Sequence, residues 1–233
     1  MHRSTENIAR LVQDRYVFQY PSLKDHYPDL PDEFYNDMVI VFQDPDQFKA
    51  EVFQKYPIEQ ILSYLRITHK FYIEKRLGEI EQAIELLNSI ENKEVNNWYP
   101  YLANFIKGFN QEMLHHIQEE EKTLFPYIDV LLVARKSKVL NYTPEQKICL
   151  LSFMLDHDDE VEEELHKLII SLDQISESFK DSFSFRMLLN HLKTFELDLR
   201  IHARMEEEVL IPRCILLEKE ILKDTSIRVS PSL

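Results

Sequence analysis

Glycine is almost missing from this chain, with two residues among 233. An all-β protein of this length needs many tight turns with positive φ, so sandwiches and barrels are disfavoured, and so are glycine-rich phosphate loops. Cysteine is equally scarce: Cys149 and Cys214 lie far apart without CxxC spacing. Neither a thiolate zinc site nor a disulfide framework follows, and a reduced, cytoplasmic setting is expected. Positive charge is also short, with 27 Lys and Arg against 41 Asp and Glu and a net charge of −14. Such a surface repels phosphate backbones and anionic membranes, so no nucleic-acid or membrane partner is expected. Long apolar runs are lacking too. Nothing approaches the roughly 18 to 20 residues that span a bilayer, and MHRSTENIAR has no apolar core, so neither a transmembrane helix nor a signal peptide is expected.

What the chain does have is 44% hydrophobic and 29% charged residues, enough for one mostly helical domain with a real core. Five of the ten prolines fall in the first 57 residues, and the tail SIRVSPSL is polar and rich in breakers. This composition predicts an N-terminal extension over 1–56, a helical domain over 57–222 and a polar tail over 223–233. Within 57–222 the apolar periodicity predicts four helices, roughly 57–90, 97–135, 144–178 and 182–222, separated by NKEVNN, KSKVLNY and similar breaks. The expected fold is all-α, a four-helix up-down bundle. Thr143-Pro144-Glu145-Gln146 has the chemistry of a helix start, and Pro126 and Pro212 should kink or end their helices locally.

Two of these helices carry a repeated motif. His116-x3-Glu120-Glu121-x2-Leu124-x-Pro126 matches His202-x3-Glu206-Glu207-x2-Leu210-x-Pro212. The other two helices match each other as Leu65-x3-His69-x7-Leu77-x2-Ile80 and Phe153-x3-His157-x7-Leu165-x2-Leu168. The separations agree as well, 47 residues from His69 to His116 and 45 from His157 to His202. A helical hairpin has been duplicated, with one histidine per helix and a glutamate one turn after it in the second helix of each pair.

Helical phase, at about 100° per residue, places these groups. Helix two has the stripe Leu102, Phe105, Phe109, Met113, Leu124, with His116 and Glu120 on it. Helix four has Leu188, Leu192, Phe195, Leu199, Val209, with His202 and Glu206 along its centre. His69 falls among Ile58, Leu62, Leu65, Ile73, Ile80 and Leu87, and His157 among Leu150, Met154, Val161, Leu165, Leu168 and Leu172. Four imidazoles and two carboxylates are therefore expected in one core.

Taken singly, a histidine on an apolar stripe is ordinarily a hydrogen-bonded core residue, and an inward glutamate can pair with a cation such as Arg76. Six such groups at duplicated spacing are different, because two buried carboxylates without a cation are heavily penalised. Bound metal offsets that cost. Mixed imidazole and carboxylate donors in a helical bundle suit iron or manganese better than structural zinc, and two bridging glutamates imply a pair of ions. The pairs Glu112-x-x-His115 and Glu163-x-x-His166 also have i, i+3 metal spacing, but their phase directs both histidines away from the stripe. His191 reads as a core or supporting histidine, and His2, His26, His115 and His166 as surface residues.

These motifs resemble the hemerythrin-like (HHE cation-binding) domains, and among them the repair of iron centres di-iron proteins. The resemblance covers about residues 57–222 and rests on the two H-x3-E-E motifs with LFP and LIP after them, plus His69 and His157. It implies a hemerythrin-like four-helix bundle in which His69, His116, Glu120, His157, His202 and Glu206 hold two non-haem irons, both glutamates bridging, with an oxo or hydroxo bridge. Manganese or zinc are substitutes. Oxygen-carrying relatives have a second histidine four residues after the third-helix histidine; here Val161 stands there. Repair proteins often have an adjacent cysteine pair in an N-terminal domain, whereas residues 1–56 contain no cysteine. The implied function is a nitrosative or oxidative stress response with repair of damaged iron–sulfur clusters, by iron donation or NO reactivity. The alternatives are an O2- or NO-binding sensor using the same centre, with residues 1–56 passing the change to a partner, and a plain oxidoreductase. A small diatomic ligand or damaged iron–sulfur proteins are the implied partners, and a dimer is compatible with the sequence.

Overall fold

The computed structural model describes residues 30–88, 93–142, 150, 153, 160–174 and 182–231. Apart from one short ladder they form helices and turns, so the all-α expectation holds. In the extension, α1 (Asp32–Gln43) is followed by a 3-10 turn (Pro45–Gln47) and a single turn, α2 (Ala50–Phe53). Three long helical runs come next in the chain, each interrupted by a π turn. The first is α3 (Ile58–Phe71), π1 (Tyr72–Arg76) and α4 (Leu77–Asn88); the second is α5 (Lys93–Glu119), π2 (Glu120–Leu124) and α6 (Phe125–Ser137). After β1 (Val139–Tyr142) and α7 (Glu160–Asp173), the third run is α8 (Phe183–Arg204), π3 (Met205–Leu210) and α9 (Ile211–Lys223), with β2 (Arg228–Pro231) last. The helix start at Thr143-Pro144 lies outside the described residues.

Pro126 and Pro212 each occupy the first turn of the helix after a π turn. Proline has no N–H, so the carbonyl four residues back loses its α-helical donor. The backbone answers with a wider turn, and the closing bonds run from Phe125 N–H to Glu120 O and from Ile211 N–H to Glu206 O. Both prolines therefore act on the helix where expected, and both π turns open at or beside a motif glutamate.

Among the described residues the helices bury most of the stripes that periodicity marks, with Phe105 and Leu168 only half-buried and Ile73 turned out. Leu188, Leu192, Phe195, Leu199 and Val209 are all at most 2% exposed, and Leu102, Phe109, Met113 and Leu124 are buried. Ile73, expected on the stripe of the first run, is instead 45% exposed. It falls inside π1, where the extra residue per turn resets the phase, and Tyr72 and Arg76 are buried in its place.

Contacts group the chain into two units, with Met1–Thr68, Ile117–Asp158 and Ile201–Leu233 in the first and His69–His116 and Asp159–Arg200 in the second. In the first, Phe34 packs edge-on against Phe53 and Tyr56, with Tyr64 of α3 5.5 Å from the same ring, so part of the extension shares a core with α3. The same unit holds the ion pairs Arg66 to Asp129 at 2.6 Å and Lys136 to Glu59 at 3.0 Å. The break KSKVLNY and the tail, neither of which periodicity marks as regular, form a parallel ladder of Val139–Tyr142 on Arg228–Pro231. In the second unit, the Phe195 ring meets Tyr72 at 5.1 Å and Phe109 at 6.0 Å, both edge-on. There Lys193 pairs with Asp173, and Asn110 donates to Glu81 at 2.7 Å.

Candidate metal centre

His69 sits in the last turn of α3, on the face that carries Leu62 and Leu65 inward, and it is 2% exposed. Glu120 opens π2 at 0% exposure, His202 lies in the last turn of α8 at 5%, and Glu206 is the second residue of π3 at 2%. Ligand-type atoms of His69, Glu120 and His202 all lie within 4.8 Å of one another. Among the described residues this is the group of histidines and acids gathered closely enough to hold one ion. Glu206 stands beside it, with Oε2 at 3.8 Å from His202 Nε2, one helical turn along.

The remaining sequence-derived ligands differ. His116 is partly exposed, while its neighbour Ile117 takes the buried position on α5, so His116 sits at the edge of its stripe and outside the close trio. His157 lies outside the described residues. The rival pairs behave as their phase directs: Glu112, His115, Glu163 and His166 are all exposed, and His166 Nδ1 is 2.7 Å from Glu196. Arg76, the cation considered for an inward glutamate, lies 2.9 Å from Glu79. Neighbouring acids of the two runs face outward to different degrees, Glu121 with Arg66 Nε at 3.9 Å and Glu208 with Arg204 Nε at 2.6 Å. His191 is half-buried, 4.0 Å from Glu79, and burial, with Arg76 nearby, holds its pKa below the ordinary histidine value against the opposing pull of Glu79. Cys214 is fully buried, and burial pushes its thiol up to about 12, so it keeps its proton at neutral pH.

No protein-family model, curated protein or solved structure matches the chain.

Periodicity did not single out three buried polar residues, of which Thr68 touches the site. Thr68 is fully buried and its Oγ1 is 2.7 Å from His202 Nδ1 and 2.7 Å from Leu65 O. Tyr72 donates its phenol proton to Asp198 Oδ1 at 3.0 Å, and Asp198 is fully buried. Asp198 falls four residues before His202, on the stripe already defined by Leu188, Leu192, Phe195 and Leu199, so an acid at a core position was the available signal.

The donor set fits a metal ion. Two imidazole nitrogens and a carboxylate oxygen, all buried, are borderline and hard donors of the kind that take iron, manganese or zinc. A positive charge among them offsets the cost of burying the carboxylates of Glu120 and Glu206, which would otherwise be severe.

Proposed function

We propose that this chain is a non-haem di-iron protein of the hemerythrin-like kind, acting in the response to nitrosative or oxidative stress and in the repair of damaged iron–sulfur clusters. The observation that carries the reading is the buried convergence of His69, Glu120 and His202 from three helical runs, at the positions the duplicated motifs mark. His69, Glu120 and His202, with Glu206, would hold metal directly; His116 and His157 complete the set that the repeat predicts. Bound iron supplies redox change and open positions for a small diatomic ligand. The protein supplies orientation and exclusion of water. Tyr72 and Asp198 form a hydrogen bond three residues after His69 and four before His202, and Phe195 packs on the Tyr72 ring.

A sensor reading is favoured by a separate observation. Arg204, midway between His202 and Glu206, donates to Pro45 O at 3.2 Å and Phe48 O at 3.5 Å and lies 4.3 Å over the Phe48 ring. The extension is thus fastened to the turn that carries two proposed ligands, and a change there has a route into residues 45–48.

Anaerobic purification with metal analysis, then optical titration with O2 and NO, tests both. Transfer of iron to an apo iron–sulfur protein supports repair; reversible spectra that change protease sensitivity in the extension support sensing; turnover of NO or peroxide supports an oxidoreductase. A protein that retains no metal under these conditions overturns all of them.

A further inference from the structure

Thr68 has one hydroxyl proton and two neighbours at hydrogen-bond distance. Its Oγ1 lies 2.7 Å from Leu65 O and 2.7 Å from His202 Nδ1, in a fully buried setting. The carbonyl can only accept, so the hydroxyl must donate to Leu65 O. Were that proton turned to Nδ1 instead, two lone-pair oxygens would face each other at 2.7 Å in a dry interior. Both contacts are hydrogen bonds in one arrangement alone: Thr68 donates to the carbonyl of its own helix, and His202 Nδ1–H donates to Thr68 Oγ1.

We infer that Thr68 is a positioning residue that fixes His202 as the Nδ1–H tautomer and so reserves Nε2 as its metal-binding atom, an inference that rests on His202 being a ligand. The geometry at the other ring nitrogen agrees. Nε2 is the atom 3.8 Å from Glu206 Oε2, and a lone pair facing a carboxylate is favourable only with a cation shared between them. Thr68 directly precedes His69 in α3, so one helical turn places one donor and orients another. A hydrogen bond of this kind sets tautomer and ring orientation, and its loss typically weakens metal binding by about 10- to 100-fold.

The test uses the full chain and Mn2+ or Co2+ as the probe ion. Long-range 1H–15N correlation of the protein loaded with diamagnetic Zn2+, with His202 assigned by its loss in His202→Gln, should show the proton on Nδ1 in the wild type. Thr68→Val, which keeps the shape and removes the hydroxyl, should lose that single tautomer and bind the probe ion about 10- to 100-fold more weakly in chelator competition. Thr68→Ser should restore both. A wild-type His202 protonated on Nε2 overturns the inference even if Thr68→Val fails to fold. So does a Thr68→Val protein with wild-type tautomer and affinity while His202→Gln loses the ion. If His202→Gln itself binds like the wild type, the ligand role of His202 fails, and the inference with it.

Discussion

Replacing Glu120 or Glu206 by glutamine should have opposite effects on the metal-free and metal-loaded protein. Both carboxylates are at most 2% exposed, and glutamine keeps their volume. Without metal, the substitution removes a buried charge, so stability should stay level or rise. With metal it removes a ligand. An ion held at one hundred times its dissociation constant contributes about 2.7 kcal/mol to folding. A hundredfold weaker site leaves RT ln 2, about 0.4 kcal/mol, so the loss is about 2.3 kcal/mol. For a chain of this size that lowers the melting midpoint by about 5–9 °C. The assay is thermal denaturation with and without added ferrous ion under anaerobic conditions. Glu121→Gln and Glu207→Gln, one position on and partly exposed, should shift both midpoints by no more than about 2 °C, as ordinary surface changes do. The reasoning is refuted if Glu120→Gln lowers the metal-free midpoint as far as the metal-loaded one, since the carboxylate would then be held by protein groups. Equal damage from Glu121→Gln would displace the ligand register by one residue.

The double variant Glu112→Gln, His115→Gln should keep wild-type metal content, because both side chains are exposed; metal analysis showing loss would overturn the assignment of faces on α5. His191 gives a pH signature. Its folded-state pKa lies below 6.5, so its contribution to stability is present above about pH 6.5 and is lost as pH falls below that through the lower folded value. Glutamine cannot take up the proton, so the stability gap between wild type and His191→Gln, measured by urea denaturation, should move in favour of the variant as the solution is acidified. A gap that stays constant, or moves toward the wild type, contradicts this.

Much of the site was legible because it is written twice. The stripe of α8 could be read residue by residue, and every one of its apolar members is buried. The glutamates stood out because an acid on an apolar stripe is costly, and costly features at repeated spacing point to a shared ligand. The π turns were hidden, since an i→i+5 bond leaves no side-chain period of its own; Pro126 and Pro212 signalled only that something must yield. Ile73 was misplaced for that reason: counting at a constant angle through π1 carries it inward, and the wider turn carries it out. His116 shows the limit of phase alone, because a residue near the border of a stripe is displaced by the better hydrophobe beside it, here Ile117. Thr68 was invisible as a partner of His202, since the two are 134 positions apart and a small hydroxyl on a helix fits many roles.

The central claim is that the duplicated His and Glu positions hold a pair of irons. It is tested most directly by counting metal per chain, by mass spectrometry of the elements, after anaerobic loading with ferrous ion and gel filtration. Mössbauer spectra of the same sample would report whether the ions are coupled. The account predicts about two irons per chain with coupled spectra after oxidation, and loss of both on replacing Glu120 or Glu206. Retention of no iron, or of a single uncoupled iron indifferent to Glu206, would contradict it.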